Sequence, residues 1–128
     1  MRFATRCALS LLAAALAAPA WSVQVGEASI YSLPGRKMAS GARMNPGDDI
    51  AASRTLPLGT RARVTNLANG RSTVVTILDR GPRVRDRIVD LSPAAAEKIG
   101  LTRKQGTTRV EVRALALPPR DNPTVAEK

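Results

Sequence analysis

The sequence predicts one small domain, mainly β, with a single short helix. Three observations point there. Runs rich in β-branched residues recur, above all Ser72-Thr-Val-Val-Thr-Ile-Leu78 and the cleanly alternating Arg109-Val-Glu-Val-Arg-Ala-Leu115. Asn69-Gly70, between two such runs, is a strong hairpin signal, since both residue types accept the positive φ of a tight turn. Only Ser92-Pro93 to Gly100 carries helix punctuation: a serine cap, a proline at the first helical position and a glycine stop.

Taken in order, residues 1–22 have the layout of a secretory signal. Arg2 and Arg6 precede an apolar run from Cys7 to Ala18, and small residues follow near Pro19. Cleavage after Ala20 or after Ser22 suits the small-residue pattern. The run is shorter than the roughly 18 apolar residues of a spanning helix, so no stable membrane anchor is expected. Val23–Tyr31 reads as a strand. Ser32–Asp49, rich in Gly, Pro, Ser and Asn, reads as a long irregular loop, a kind often given to function. Arg61–Leu67 and Ser72–Leu78 are the arms of the hairpin, Arg87–Leu91 is a short strand, and Ala94–Ile99 continues the helix. Arg109–Leu115 is the last strand. The domain therefore spans 23–117, and the proline-rich, charged 118–128 reads as a disordered tail.

Composition excludes whole mechanisms. Cys7 is the only cysteine and there is no histidine. A mature chain without either has no disulfide, no thiol nucleophile, no Ser-His-Asp triad and no ordinary zinc site, so no metal or cofactor is expected. Thr5 and Arg6 before Cys7 do not fit a lipoprotein signal. The formal charge of +10 falls to +8 once Arg2 and Arg6 are lost with the signal. That balance suits polyanionic partners, and also suits a chain merely rich in Arg and Ala. Nucleic acid is disfavoured by the export signal and by the scarcity of stacking aromatics.

Several blocks share one pattern. They are Gly26-Glu-Ala-Ser-Ile-Tyr31, Gly35-Arg-Lys-Met-Ala-Ser-Gly41, Arg54-Thr-Leu-Pro-Leu-Gly-Thr60, Val64-Thr-Asn-Leu-Ala-Asn-Gly-Arg-Ser72, Asp79-Arg-Gly-Pro82 and Arg87-Ile-Val-Asp-Leu-Ser92. Order and spacing resemble the rare-lipoprotein-A (RlpA) family of peptidoglycan lytic transglycosylases, from about Gly26 to about Leu115. The resemblance implies a six-stranded double-psi β-barrel, the fold of barwin and of the first domain of expansins. It also implies a periplasmic or secreted, monomeric enzyme that cuts the bond between N-acetylmuramic acid and N-acetylglucosamine, especially in strands stripped of stem peptides, leaving a 1,6-anhydro end.

Such chemistry can run on one carboxyl. The sugar's own C6 hydroxyl attacks the anomeric carbon, so no enzyme nucleophile is needed, and one group can give and take the proton. The resemblance assigns this to Asp79. From the residues alone, Asp79 reads rather as a turn organiser accepting backbone N–H bonds, since most turn aspartates are not catalytic. Ser53, Arg54, Tyr31 and Arg80 are the expected glycan-binding residues. Tyr31 reads equally as core packing, and the arginines as solvated surface. The chain also departs from the family pattern. Ser53 stands where the family has His, Ala42 where it has Glu, Asn45 where it often has Asp, and Ile30 where it has Trp. Asp48 and Asp49 are the other candidates for a second carboxyl. A barrel that binds glycan without cutting it is therefore the competing expectation.

Overall fold

The computed structural model describes residues 23–118. The expected signal, and all but the first residue of the expected tail, lie outside them. Six strands, β1 (Val23–Ile30), β2 (Ile50–Ser53), β3 (Arg61–Asn66), β4 (Ser72–Asp79), β5 (Arg87–Leu91) and β6 (Thr107–Ala116), accompany one helix, α1 (Pro93–Lys98). The strands close into a barrel in the order β1-β5-β2-β4-β3-β6. Two pairs, β1/β5 and β2/β4, run parallel and the rest antiparallel. This is the six-stranded barrel with one short helix that the resemblance implies.

Alternation along the strands fills the interior. Ala62 and Val64 from β3, Val75 and Ile77 from β4, Val89 and Leu91 from β5, and Val110 and Val112 from β6 point inward and are buried. Ile99 and Leu101, just beyond α1, plug one end of this core. A second, smaller cluster of Met38, Met44 and Ile50, with Tyr31 and Leu78 against it, lies under the segment between β1 and β2. That segment is not the irregular loop its composition suggests. Met38 donates its N–H to the Ala42 carbonyl at 2.8 Å, Met44 donates to Arg36 at 2.8 Å, and Lys37 pairs with Arg43.

Strand β2 was not anticipated. Ile50-Ala-Ala-Ser53 has no alternation and little β-branching, yet all four residues are buried because β2 pairs on both edges. Buried serines fasten its two ends. Ser92 caps α1 by accepting from Ala95 N–H at 3.3 Å, and it donates to the Asp48 carbonyl at 2.6 Å just before β2. Ser53 accepts from the N–H groups of Thr55 and Leu56 at 3.2 and 3.0 Å.

Asn66 joins three parts of the chain. It is 1% exposed. Its Nδ2 donates to the Ile99 carbonyl at 2.8 Å, and its Oδ1 accepts from Ala68 N–H at 2.9 Å and from the Thr108 hydroxyl at 3.0 Å. The hairpin turn closes on its carbonyl, with Gly70 at φ +79° donating at 2.7 Å. Asn66→Ala leaves the Ala68 N–H and the Thr108 hydroxyl without this partner and the Ile99 carbonyl held by Asn69 Nδ2 alone, at 3.1 Å. A loss of about 2–3 kcal/mol is expected, which thermal unfolding would read as a Tm lower by roughly 10 °C or more. Unchanged unfolding would refute this role.

Candidate active site

The sheet register sets four residues in one row. Ala52 of β2 lies opposite Asp79 of β4 on one side and opposite Asp90 of β5 on the other, and Asp90 in turn lies opposite Ser29 of β1. Residues directly opposite one another share a face of the sheet. Ala52, Asp79 and Asp90 of this row form the floor of an open cleft of about 500 Å³, walled by Tyr31, Leu33 and the segments 36–39 and 79–83. A somewhat larger groove of about 630 Å³ runs along α1, but its charged residues are only Glu97 and Arg103. The first cleft alone holds two carboxyls side by side.

Asp79 is the last residue of β4, so its backbone is fixed by the sheet while its side chain reaches the barrel rim. Its Oδ1 accepts two backbone N–H bonds, from Ala39 and from Arg80, each at 2.9 Å. The Ala39 bond ties the carboxylate to the segment clamped over the smaller apolar cluster. Gly81, at φ +130°, turns the chain away at a conformation side-chain-bearing residues rarely adopt. Asp79 thus organises its turn, as the residues alone suggest. Its second oxygen has no protein partner among the described residues and is available to the cleft.

Tyr31 lies half-buried beside the aspartates, its hydroxyl against the Met38 sulfur at 3.7 Å. Burial pushes its phenol up to about 12, and the negative charges of Asp79 and then Asp90 push in the same direction. The hydroxyl therefore stays a proton-bearing donor throughout the physiological range. Core packing and the cleft both claim this side chain, since it touches the smaller cluster and lines the wall.

The other expected binding residues hold the rim together. An Arg80 guanidinium nitrogen donates to the carbonyls of Ser53 and Leu56 at 2.9 and 2.6 Å. Arg54 reaches the opposite way, donating to the Pro82 carbonyl and, at 3.5 Å, to that of Val84. The two arginines lace the segment after β2 to the segment after β4. Arg80 still lines the cleft, whereas Arg54 and Ser53 do not. Ser53 follows Ala52 along the strand, and alternation turns it to the other face. It is 2% exposed, its hydroxyl engaged by backbone N–H groups. Asp48 and Asp49 are not brought to the cleft. Asp49 pairs with Lys98 of α1 at 2.5 Å, on the side of the helix.

Asp90 is the residue that sequence reasoning missed. It stands within Arg87-Ile-Val-Asp-Leu91, read as a strand and as one block of the family pattern but not as a source of site residues, although a carboxylate in so apolar a run was a usable signal. Its Oδ1 accepts from the buried Ser29 hydroxyl, and a Cβ placed on Gly81 would meet its Oδ2 at 3.8 Å, so it faces the turn after Asp79. Arg36, Lys37 and Arg83, all exposed, add positive charge around the cleft. Among the described residues, no group of three or more His, Cys, Asp or Glu side chains gathers to hold a metal ion.

Residues 23–112 match the family described as lytic transglycolase. The chain belongs to that family. The endolytic peptidoglycan transglycosylase RlpA of Neisseria meningitidis is 42% identical over 106 residues, covering 81% of this chain and 43% of that protein. The probable endolytic peptidoglycan transglycosylases RlpA of Nostoc and of Aquifex aeolicus are each 52% identical over 80 residues, covering 59% and 61% of this chain. Those stretches are 22% and 35% of the two proteins, so the chain spans less than half the length of these relatives. Among solved structures, Streptomyces papain inhibitor superposes with a TM-score of 0.61 at 22% identity, covering 73% of this chain and 94% of the inhibitor. The expansin of Clavibacter michiganensis gives 0.60 at 22% identity, covering 76% of this chain and 52% of the expansin. These likenesses place the family domain among double-psi β-barrels.

Tyr31 is the chain's only tyrosine, so its phenolate absorbance reports on the cleft without interference. The folded-state value exceeds the ordinary one near 10. Protonated Tyr31 therefore supports the fold fully below about pH 10, and that support fades as the pH rises toward 12. Spectrophotometric titration should place the midpoint near 12. Asp79→Asn should lower it more than Asp90→Asn, since each removes a negative charge that opposes the phenolate. A wild-type midpoint near 10 would show that the phenol is neither buried nor near these charges.

Proposed function

We propose that this domain is a lytic transglycosylase acting on peptidoglycan glycan strands outside the cytoplasm. In this reading it cleaves between N-acetylmuramic acid and N-acetylglucosamine and leaves a 1,6-anhydro end, with proton transfer at Asp79. The observation that carries it is the placement of Asp79. One oxygen is pinned by two backbone N–H bonds while the other opens into a cleft large enough for sugar rings. Membership of the lytic transglycolase family and the names of the RlpA relatives support the same reaction. The signal-like start of the sequence supports export, and nothing in the proposed chemistry requires a second copy.

The cleft also suits the substrate's form. Arg36, Lys37 and Arg83 surround it with positive charge, and a strand stripped of stem peptides carries free lactyl carboxylates. Ser53, Arg54 and Arg80 take a supporting part in this reading. The two arginines hold the rim through backbone carbonyls, Ser53 caps the turn between them, and Arg80 and Tyr31 remain within reach of a bound sugar.

Incubating purified domain with sacculi stripped of stem peptides should release anhydro-ended products detectable by mass spectrometry. Asp79→Asn keeps the shape and the N–H acceptor while removing the exchangeable proton, so it should lower the rate by about 10²-fold or more with sacculus binding retained. A wild-type domain that binds sacculi and releases nothing would favour the non-cutting reading, to which the replacement of the family's His and Glu by Ser53 and Ala42 already lends weight.

A further inference from the structure

We propose that the barrel wall opposite the cleft is a docking face for an anionic phospholipid surface. Docking there is independent of the reaction proposed above. In the closed order β1-β5-β2-β4-β3-β6, the strand farthest around the ring from β2 is β6. The cleft floor is centred on β2, so the outer face of β6 and its neighbours looks the other way.

Register assembles that outer face. Val64 and Val112 point into the core, so alternation turns Arg61, Arg63, Arg113 and Leu115 outward. Arg113 lies opposite Arg63 of β3 on one side and opposite Val23 of β1 on the other. Like charges directly opposite one another, with Cβ atoms about 5 Å apart, destabilise a sheet. Arg61 and Arg63 make no side-chain hydrogen bond or ion pair among the described residues, and Arg113 has only Glu111 of its own strand, at 3.4 Å. Glu27 is placed farther along, between Arg109 and Arg87, and leaves the arginine pair uncompensated. Large aliphatic side chains fringe these arginines. Val23, Val25 and Leu115 lie on the face and Leu117 just beyond β6, each between 37% and 50% exposed.

That mixture selects the partner. A soluble phosphate polymer uses the charge and leaves the aliphatic groups in water. A sugar strand or single-stranded nucleic acid takes aromatic platforms, and β1, β3 and β6 contain no aromatic residue. A second copy of this chain, packed about a two-fold axis, would set arginines against arginines. Closure of the barrel leaves no free strand edge for a peptide to extend. An anionic bilayer satisfies both parts of the face. Guanidinium groups bind lipid phosphates, and short aliphatic side chains enter the boundary between headgroups and acyl chains. Docked in this way, the barrel holds its cleft away from the bilayer.

The test uses residues 23–128, which contain the whole barrel and its core, so that the apolar start of the sequence contributes nothing. The protein should sediment with vesicles of mixed phosphatidylglycerol and phosphatidylcholine, be released by salt, and stay in solution with phosphatidylcholine alone. Arg63→Gln and Arg113→Gln should each weaken binding about fivefold. Because each relieves the like-charge pair, neither should lower Tm. Val25→Ser should weaken binding severalfold and leave its salt dependence unchanged. Lys104→Gln removes an equal charge from the turn before β6, away from this face, and should change binding little. Absence of binding to the mixed vesicles would overturn the proposal. An equal loss from Lys104→Gln would do so too, since net charge rather than this face would then be responsible. Arginine-dependent binding indifferent to Val25→Ser would assign the face to a phosphate polymer and overturn the bilayer. Vesicle binding is read without glycan cleavage, so a wild type that docks but cuts nothing overturns the reaction alone.

Discussion

Strand β2 is four residues long and hydrogen-bonds along both edges, parallel to β4 and antiparallel to β5. Without it, the hairpin of β3 and β4 would be joined to β1 and β5 only through β6, and the sheet would stay open with unpaired edges. Closure therefore depends on a strand too short and too plain to be stable alone. Its stability comes from its flanks: Ser92 at one end, which also caps α1, and Ser53 with the carbonyls that Arg80 grasps at the other. Pairing on both sides offsets the poor strand propensity of its two alanines.

The same strand makes the site. Two aspartates 11 positions apart in sequence become neighbours because each pairs with Ala52 from a different edge. A small residue at that point keeps the floor of the cleft open. The surrounding charges are divided by role. Arg54 and Arg80 are spent on backbone carbonyls and stiffen the two rim segments, while Arg36, Lys37 and Arg83 face solvent around the opening. The cleft thus has a cationic rim over a floor that holds two carboxyls.

The segment between β1 and β2 shows why composition misleads over loops. Its glycines, prolines and polar residues suggest irregular chain. Yet Met38, Met44 and Ile50 bury themselves beneath it, and its backbone bonds to itself and to Leu78. Anchored in this way, it can offer the Ala39 N–H to Asp79 from a fixed position. An unanchored loop would offer that donor only part of the time.

Local chemistry alone determined much of this protein. Alternation of β-branched residues marked β3, β4 and β6, Asn69-Gly70 marked the hairpin, and Ser92-Pro93 marked the helix, since each depends on neighbours within a few residues. The motif around Asp79 was legible for the same reason: a carboxylate between a strand end and a Gly-Pro turn is a local pattern. Three matters were left to the tertiary structure. Ile50–Ser53 is a strand only because both its edges find partners far away in the chain. Ser53 faces away from the cleft because Ala52 faces into it, and that phase is set by pairing rather than by residue type. Asp90 joins Asp79 only when β5 and β4 are laid on either side of β2, a register between distant strands that no local pattern encodes.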